Sequence, residues 1–566
     1  MGKRRRAARR RTHPALVGGA VAVLVGGGAI AAYTLYGGGT HADAVGDAKP
    51  VPKGPPTAAE VRTVAEGFLT AWGAGNAARA AALTDDPAAA TKALTGYRKD
   101  ARISAVTLTP GTRAGAKMPF SVKATVSYGG KTKPLAYASE LTVVRRASDG
   151  EVLVGWAPSV VHPDLGDGDR LVTGASGTPP IKALDRAGGE LTPAEFPSLA
   201  GVLDGLREKY GKTAGGKAGV ELRLVRADSA ASKDKGTDAS AKSDPDTKAA
   251  DKTLVTLSKG TPGTVKTTLS PTAQATAEQQ VRARERASVV VLKPSTGEIL
   301  AVANSNAGGF NTAFQGSLAP GSTMKIVSAS LLLEKDLASI DKPHPCPKYA
   351  SYGGWKFQNL EKFQIKDGTF RASFAASCNT AFITQAKELS DDALTKQAQE
   401  VFGLGRDNWA VGVSTFDGSV PVQKDASKAA SLIGQGGVRM NPLNVASIVA
   451  TAKTGVFRQP YLVPPDVDDR TLAKASRVLS GSAQSQLREL LRYTATSGTA
   501  AKAMAGLGSD IGGKTGSAEV DGQKKPNGWF TAWRGDVASA AVVLEGGHGG
   551  ESAGPLVAAM LRAGGG

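Results

Sequence analysis

The chain predicts a multidomain α+β protein held to a membrane by one N-terminal helix. Three observations carry that expectation: an uncharged apolar run near the start, a helix followed by strand-like runs over 57–163, and a long C-terminal stretch with strands at both ends and helices between them. At 566 residues the chain is too long for one ordinary domain. Hydrophobic residues make up 41%, enough for real cores, while 5% aromatics implies lean packing built on Ala and Gly.

Residues 1–14 form a basic tail. Lys3, Arg4, Arg5, Arg6, Arg9, Arg10 and Arg11 all precede the uncharged run 15–36, ALVGGAVAVLVGGGAIAAYTLY. At 1.5 Å per residue this run reaches roughly 30 Å, enough to cross a bilayer core. Tyr33 and Tyr36 stand where interfacial aromatics belong, and the basic cluster keeps the N-terminus cytoplasmic, which puts the rest of the chain outside. The run is longer than a signal-peptide core, and THADA at 40–44 is a weak cleavage signature, so an uncleaved single-pass anchor is expected. That placement accounts for seven of the +19 formal charges without a nucleic-acid partner. Cys346 and Cys378 lie far from the anchor. Outside the membrane such a pair can persist as a disulfide, and sequence leaves open whether the two come close enough.

Residues 37–56, rich in Gly and Pro, read as a linker. Val61, Val64, Ala65, Phe68, Leu69 and Trp72 then recur at helical spacing, and strand-like runs follow at 103–108, 120–128, 135–144 and 152–156 with a hairpin at Gly129-Gly130. Residues 57–163 therefore read as one α+β domain. The signals weaken over 164–262, a linker-like module in which 228–252 mixes Ser, Lys, Asp and Ala with almost no large apolar residue and is expected to be a disordered insertion. From 263 to 566 a single large domain is expected: a hairpin at 287–293 and 298–304, a helix-rich middle, strands at 511–520, 528–534 and 538–545, and a closing helix at 554–563.

The chemistry concentrates in this last domain. Ser322 and Lys325 sit three residues apart at the start of a helical run after Pro320-Gly321, so one face carries both. A serine hydroxyl is a weak nucleophile unless a base takes its proton, and a lysine can do so only where burial or nearby charge lowers its pKa. Alone, S-x-x-K is a weak signal; it recurs at 232–235 and 339–342, both read as chance. Ser377-Cys378-Asn379 follows 55 residues on, inside FAASCNTAF, read as helical with small residues that admit a neighbouring element. Lys514-Thr515-Gly516 comes later within IGGKTGSAEV, where Gly516 is expected to let substrate backbone approach a sheet edge. A second Lys-Thr-Gly at 453–455 ends a helix-like run, where Gly455 reads as a stop. Trp529 and Trp533 read as core, and the five histidines show no metal spacing.

The ordered set S-x-x-K, S-x-N, K-T-G resembles the acyl-serine transferases, the superfamily of penicillin-binding proteins and serine β-lactamases. LAPGSTMKI, ASCNTAF, IGQGGVRMNPLNVA, TSGTA at 496–500 and GGKTGSAE followed by NGWFTAW strengthen the likeness to a transpeptidase domain over 263–566. Thr57–Pro163 resembles the NTF2-like N-terminal domain of some class B penicillin-binding proteins, and 164–262 their linker or dimerisation module. The resemblance implies an antiparallel sheet flanked by helices, and a D,D-transpeptidase that cross-links peptidoglycan stem peptides and is acylated by β-lactams. It implies Ser322 as nucleophile, Lys325 as base, Ser377 as proton relay, Asn379 on the donor backbone, and Lys514 with Thr515 on the substrate carboxylate. Gly516 and Ser517 belong to the same strand, and backbone N–H groups of Ser322 and Ser517 make the oxyanion hole. No metal or organic cofactor is implied; other cell-wall synthesis proteins are candidate partners. No part of 57–262 resembles a glycosyltransferase, and no E-x-x-L-N deacylation motif of a β-lactamase is present. A D,D-carboxypeptidase of the same fold, or a non-catalytic β-lactam-binding scaffold or sensor, remains as an alternative.

Overall fold

The computed structural model describes residues 52–227, 250–306 and 308–564. The expected tail and anchor, most of the linker at 37–56 and nearly all of the 228–252 insertion lie outside the described residues. Among the described residues no helix is long and apolar enough to cross a membrane.

The N-terminal unit begins with α1 (Ala58–Gly73), α2 (Ala77–Ala81) and α3 (Pro87–Lys99). Thr57 caps α1 and Glu60 reciprocates to the Thr57 backbone, which fixes where the helix starts. Four strands follow as an antiparallel meander, β1 (Ile103–Pro110), β2 (Lys117–Tyr128), β3 (Lys131–Arg145) and β4 (Val152–Gly155). Gly129 and Gly130, both at positive φ, make the two-residue turn between β2 and β3. Val61, Phe68 and Trp72 of α1 pack on Met118, Phe120, Val122 and Val126 of β2, so the expected apolar stripe meets the inner face of the sheet.

Residues 164–262, expected as one module, contribute to two cores. In order the stretch runs through β5 (Arg170–Ala175), β6 (Lys182–Leu184), α4 (Ala200–Tyr210), β7 (Val220–Val225) and β8 (Lys252–Ser258), with β9 (Thr264–Lys266) just beyond. The sheet β5-β7-β8 adds Leu171, Leu222, Leu224 and Leu257 to the N-terminal core. By contrast β6 pairs with β9, and Phe196, Leu199, Leu203 and Leu206 pack into the C-terminal core. Polar contacts reinforce the second attachment: Arg186 pairs with Glu298 at 3.2 Å, and the Tyr210 hydroxyl donates to Asp468 at 3.2 Å. Sequence missed this division because a short strand and a short helix carry too few apolar repeats to show which core they join.

The C-terminal unit opens with α5 (Pro271–Arg282), then the hairpin β10 (Ala287–Leu292) and β11 (Ile299–Asn304). Its middle supplies α6 (Thr312–Gln315), α7 (Lys325–Glu334), the small hairpin β12 (Tyr349–Tyr352) and β13 (Trp355–Gln358), α8 (Phe370–Ala375), α9 (Thr380–Ile383), α10 (Ala393–Glu400), α11 (Asp425–Ser431), α12 (Pro442–Thr454), α13 (Gly481–Ser497) and α14 (Ala501–Met504). The chain ends with β14 (Ile511–Ala518), β15 (Asn527–Arg534), β16 (Val537–Val543), α15 (Gly549–Ser552) and α16 (Gly554–Ala563). One antiparallel sheet, in the order β11-β10-β16-β15-β14, joins the first strands to the last through the β10–β16 pair. Residues from α5 and α16 pack on one face and residues from α7 and α12 on the other, which explains why β10, β11 and β16 are buried at every position rather than alternately. This leaves β14 as an edge strand beside the helical layer, and the site forms there.

Candidate active site

Ser322 lies in a short 3₁₀ turn, Gly321–Met324, that leads directly into α7. Nearly every residue of α7 is buried, because its sequence is apolar or small on all sides; a helix of that kind belongs inside a domain. The turn is held against the sheet by two glycine contacts. Gly321 has φ 54°, and a Cβ there would stand 2.5 Å from the Ser517 carbonyl oxygen of β14. A Cβ on Gly516 would meet Thr323 and Trp529 at 3.0 Å and the Pro320 carbonyl oxygen at 3.1 Å. At Gly516, which sequence expects to admit substrate backbone, the nucleophile's own turn also closes on the strand, because the strand and the turn must touch for Ser322 to reach the edge.

Lys325 is fully buried, with its amine at the centre of the cluster. Its Nζ lies 3.0 Å from Ser322 Oγ, 2.7 Å from the Ser377 carbonyl oxygen and 2.7 Å from Asn379 Oδ1. The last two atoms can only accept, and the Asn379 orientation is anchored by its Nδ2 donating to the Gln358 carbonyl at 3.1 Å. A neutral amine has two N–H bonds and one lone pair. With both N–H bonds given to Ser377 and Asn379, the lone pair is left facing the Ser322 hydroxyl. Burial, reinforced by the nearby charge of Lys514, pushes this amine well below the ordinary lysine range, the direction a proton acceptor at neutral pH requires.

The segment FAASCNTAF is not one helix. It breaks between α8 and α9, and Ser377 takes φ 59°, in the left-handed region where a side chain is strained by about 1–3 kcal/mol. The break matters, because it turns the Ser377 carbonyl and hydroxyl toward the two lysines instead of along a helix axis. Lys514 Nζ donates to Ser377 Oγ at 2.8 Å and to the Thr515 carbonyl at 2.9 Å. It too is fully buried, and burial lowers it to about 7. Cys378 is disulfide-bonded to Cys346 with Cα atoms 6.1 Å apart, which closes the question left open by sequence.

All eight expected residues lie in this network or on its strand β14, with Ser322, Lys325, Ser377, Asn379 and Lys514 joined by direct contacts. Thr515 follows on β14, and its hydroxyl lies 2.7 Å from that of Thr499, in the TSGTA segment just after α13. Sequence reasoning misses two residues here: Thr499, whose signal is the TSGTA string, and Asn359, 1% exposed, whose Oδ1 accepts from the Asn379 backbone N–H at 2.8 Å and which no local pattern marks. Lys453-Thr454-Gly455 ends α12 with Gly455 at φ 77° as a left-handed cap, Ser339 and Lys342 lie in a loop, and Trp529 and Trp533 are core. Among the described residues no group of His, Cys, Asp or Glu is placed to hold a metal ion.

The model of the penicillin-binding protein transpeptidase domain matches residues 287–562. A relative named peptidoglycan D,D-transpeptidase PbpA, from Mycolicibacterium smegmatis, is 27% identical over 367 residues, 53% of this chain and 73% of that protein. Its namesake from Mycobacterium tuberculosis is 25% identical over 362 residues, 53% of this chain and 72% of that one. Among solved structures, a chain of a peptidoglycan synthase complex aligns over 70% of this chain and 92% of its own at TM-score 0.55 and 20% identity, a likeness of fold. Penicillin-binding protein A of M. tuberculosis, as its ceftriaxone acyl-enzyme, aligns over 54% of this chain and 80% of its own at TM-score 0.49 and 26% identity.

Proposed function

The chain belongs to the class B penicillin-binding proteins, and on that premise we propose that it is a serine D,D-transpeptidase that cross-links peptidoglycan stem peptides outside the cell. Ser322 Oγ attacks the carbonyl carbon of the penultimate D-Ala while Lys325 takes its proton. The tetrahedral oxygen is held by the backbone N–H groups of Ser322 and Ser517, each donor contributing about 3 kcal/mol in sites of this type. The C–N bond then breaks, and the terminal D-Ala leaves as an amine carrying a proton relayed through Ser377. The amine of a second stem peptide attacks the acyl-enzyme, loses a proton along the same relay, and releases Ser322. Asn379 binds the donor backbone, and Lys514 with Thr515 holds the terminal carboxylate, on the strand that includes Gly516 and Ser517.

One observation carries this reading: Lys325 Nζ stands 3.0 Å from Ser322 Oγ with both amine hydrogens committed elsewhere. β-Lactams acylate Ser322 as mimics of the same peptide. The reading extends to the chain's organisation. Residues 15–36 anchor it with the N-terminus cytoplasmic, 57–163 form an NTF2-like domain, 164–262 with the 228–252 insertion bridge it to the transpeptidase domain at 263–566, and other cell-wall synthesis proteins meet it at the membrane. The basic tail before an uncharged run supports the anchor, and the three helices over a four-stranded meander support the NTF2-like assignment.

A fluorescent penicillin decides the core claim. It is expected to label the wild-type chain covalently and to leave Ser322→Ala unlabelled, and labelling of that variant would overturn the assignment. Incubation with stem-peptide donor and acceptor then yields a cross-linked dimer; a product set of free D-Ala and shortened monomer alone would make the protein a carboxypeptidase, and no turnover of either kind a sensor.

A further inference from the structure

Asn359 stands directly after β13 and is 1% exposed, so its carboxamide must find all its partners inside the protein. It does. Oδ1 accepts from the backbone N–H of Asn379 at 2.8 Å and of Thr380 at 3.0 Å, while Nδ2 donates to the carbonyls of Pro347 and Phe363, both at 2.9 Å. Two lone pairs and two N–H bonds are all that a carboxamide has. The residue before it adds a fifth link, since the Gln358 carbonyl accepts from Asn379 Nδ2 at 3.1 Å. The Cys346–Cys378 disulfide joins the same two chain segments, with Cys346 Sγ 3.2 Å from Asn359 Nδ2.

These links converge on residues 378–380, immediately after Ser377, and the stretch 377–380 breaks the helix with Ser377 at φ 59°. Such a conformation persists only where its surroundings over-determine it. The stretch also supplies both acceptors that take the Lys325 hydrogens, the Ser377 carbonyl oxygen and Asn379 Oδ1. We propose that Asn359 is a positioning residue of the reaction: without touching substrate, it holds Ser377 and Asn379 where they aim the Lys325 lone pair at Ser322. This rests on the transpeptidase reading above. A shift of about 1 Å in such an arrangement costs on the order of a hundredfold in rate.

The test measures acylation of the full-length chain by fluorescent penicillin across pH, separating the saturating rate from the affinity of the non-covalent complex, with a thermal melt on each variant. Asn359→Ala is expected to lower the saturating rate by roughly 10–100-fold with the affinity little changed. The acid limb of its pH profile moves to higher pH, because a loosened loop admits water to Lys325, whose other titratable neighbour is Lys514. Asn359→Asp retains the acceptor and, while protonated, one donor. It is expected to recover much of the rate near neutral pH and to lose it at alkaline pH, as a carboxylate forms against the Pro347 and Phe363 carbonyls. Wild-type rates in a folded Asn359→Ala, or equally slow Ala and Asp variants whose pH limbs match wild type, would overturn the proposal. If Asn359→Ala does not fold, the Asp variant decides alone: an added alkaline loss supports the role, and a wild-type profile refutes it. Absence of labelling in wild type would instead sink the transpeptidase reading, which keeps the two failures apart.

Discussion

The tripeptide Lys-Thr-Gly occurs at 453–455 and again at 514–516, and the fold treats the two copies in opposite ways. At the end of α12, the partly covered Lys453 pairs with the exposed carboxylate of Asp510 at 3.1 Å, and Gly455 adopts φ 77° to stop the helix. In β14, Lys514 is buried against neutral partners, the Ser377 hydroxyl and the Thr515 carbonyl, while Gly516 is extended and serves as a landing for the nucleophile's turn. A charge matched by a carboxylate stabilises its surroundings slightly; a buried amine without one is costly and is kept where chemistry uses it. Identical residues thus acquire their meaning from what packs on them.

The largest effect expected from breaking this contrast is catalytic. Lys514→Ala should reduce the acylation rate constant for a β-lactam by about 10²–10⁴-fold, while Lys453→Ala stays within about twofold. Comparable losses in both, measured by stopped-flow or gel-based labelling, would mean that the second copy takes part after all.

Next comes stability. Lys514 falls from 10.5 to about 7 in the folded protein, so between those values the unfolded chain binds the extra proton and wild-type stability rises with pH. Lys514→Met removes that penalty. Its melting temperature should exceed wild type most at or below pH 7, by an amount corresponding to roughly 2–4 kcal/mol, and the gap should close as pH approaches the unfolded value. A gap independent of pH would show that Lys514 is not desolvated as described.

The glycines give the smallest and sharpest pair. Gly516→Ala forces Thr323, Trp529 or the Pro320 carbonyl to give way, and should slow acylation about tenfold at modest cost in stability. Gly455→Ala puts a side chain at a left-handed cap and should cost about 1–2 kcal/mol in denaturant melts while the folded fraction acylates normally.

Much of this was legible in residue order. The S-x-x-K, S-x-N and K-T-G strings, the Gly129-Gly130 hairpin and the closing helix at 554–563 all follow from patterns within a few residues, where backbone preference and side-chain period are local properties. Less legible was the break at Ser377. FAASCNTAF has helix formers on both sides, and the left-handed turn that propensity disfavours forms where distant groups meet it: Lys325 and Lys514 at Ser377, and the 346–363 segment through Asn359 and Cys346.

Sequence by itself determined which residue types were present for acyl transfer and in what order along the chain. The tertiary structure alone decided which Lys-Thr-Gly is buried, where the two Lys325 hydrogens point, that Gly516 receives the nucleophile's turn, and that 164–262 serves two cores. The reason is physical. Desolvation, lone-pair direction and close approach are set by atoms distant in sequence, so no local pattern encodes them.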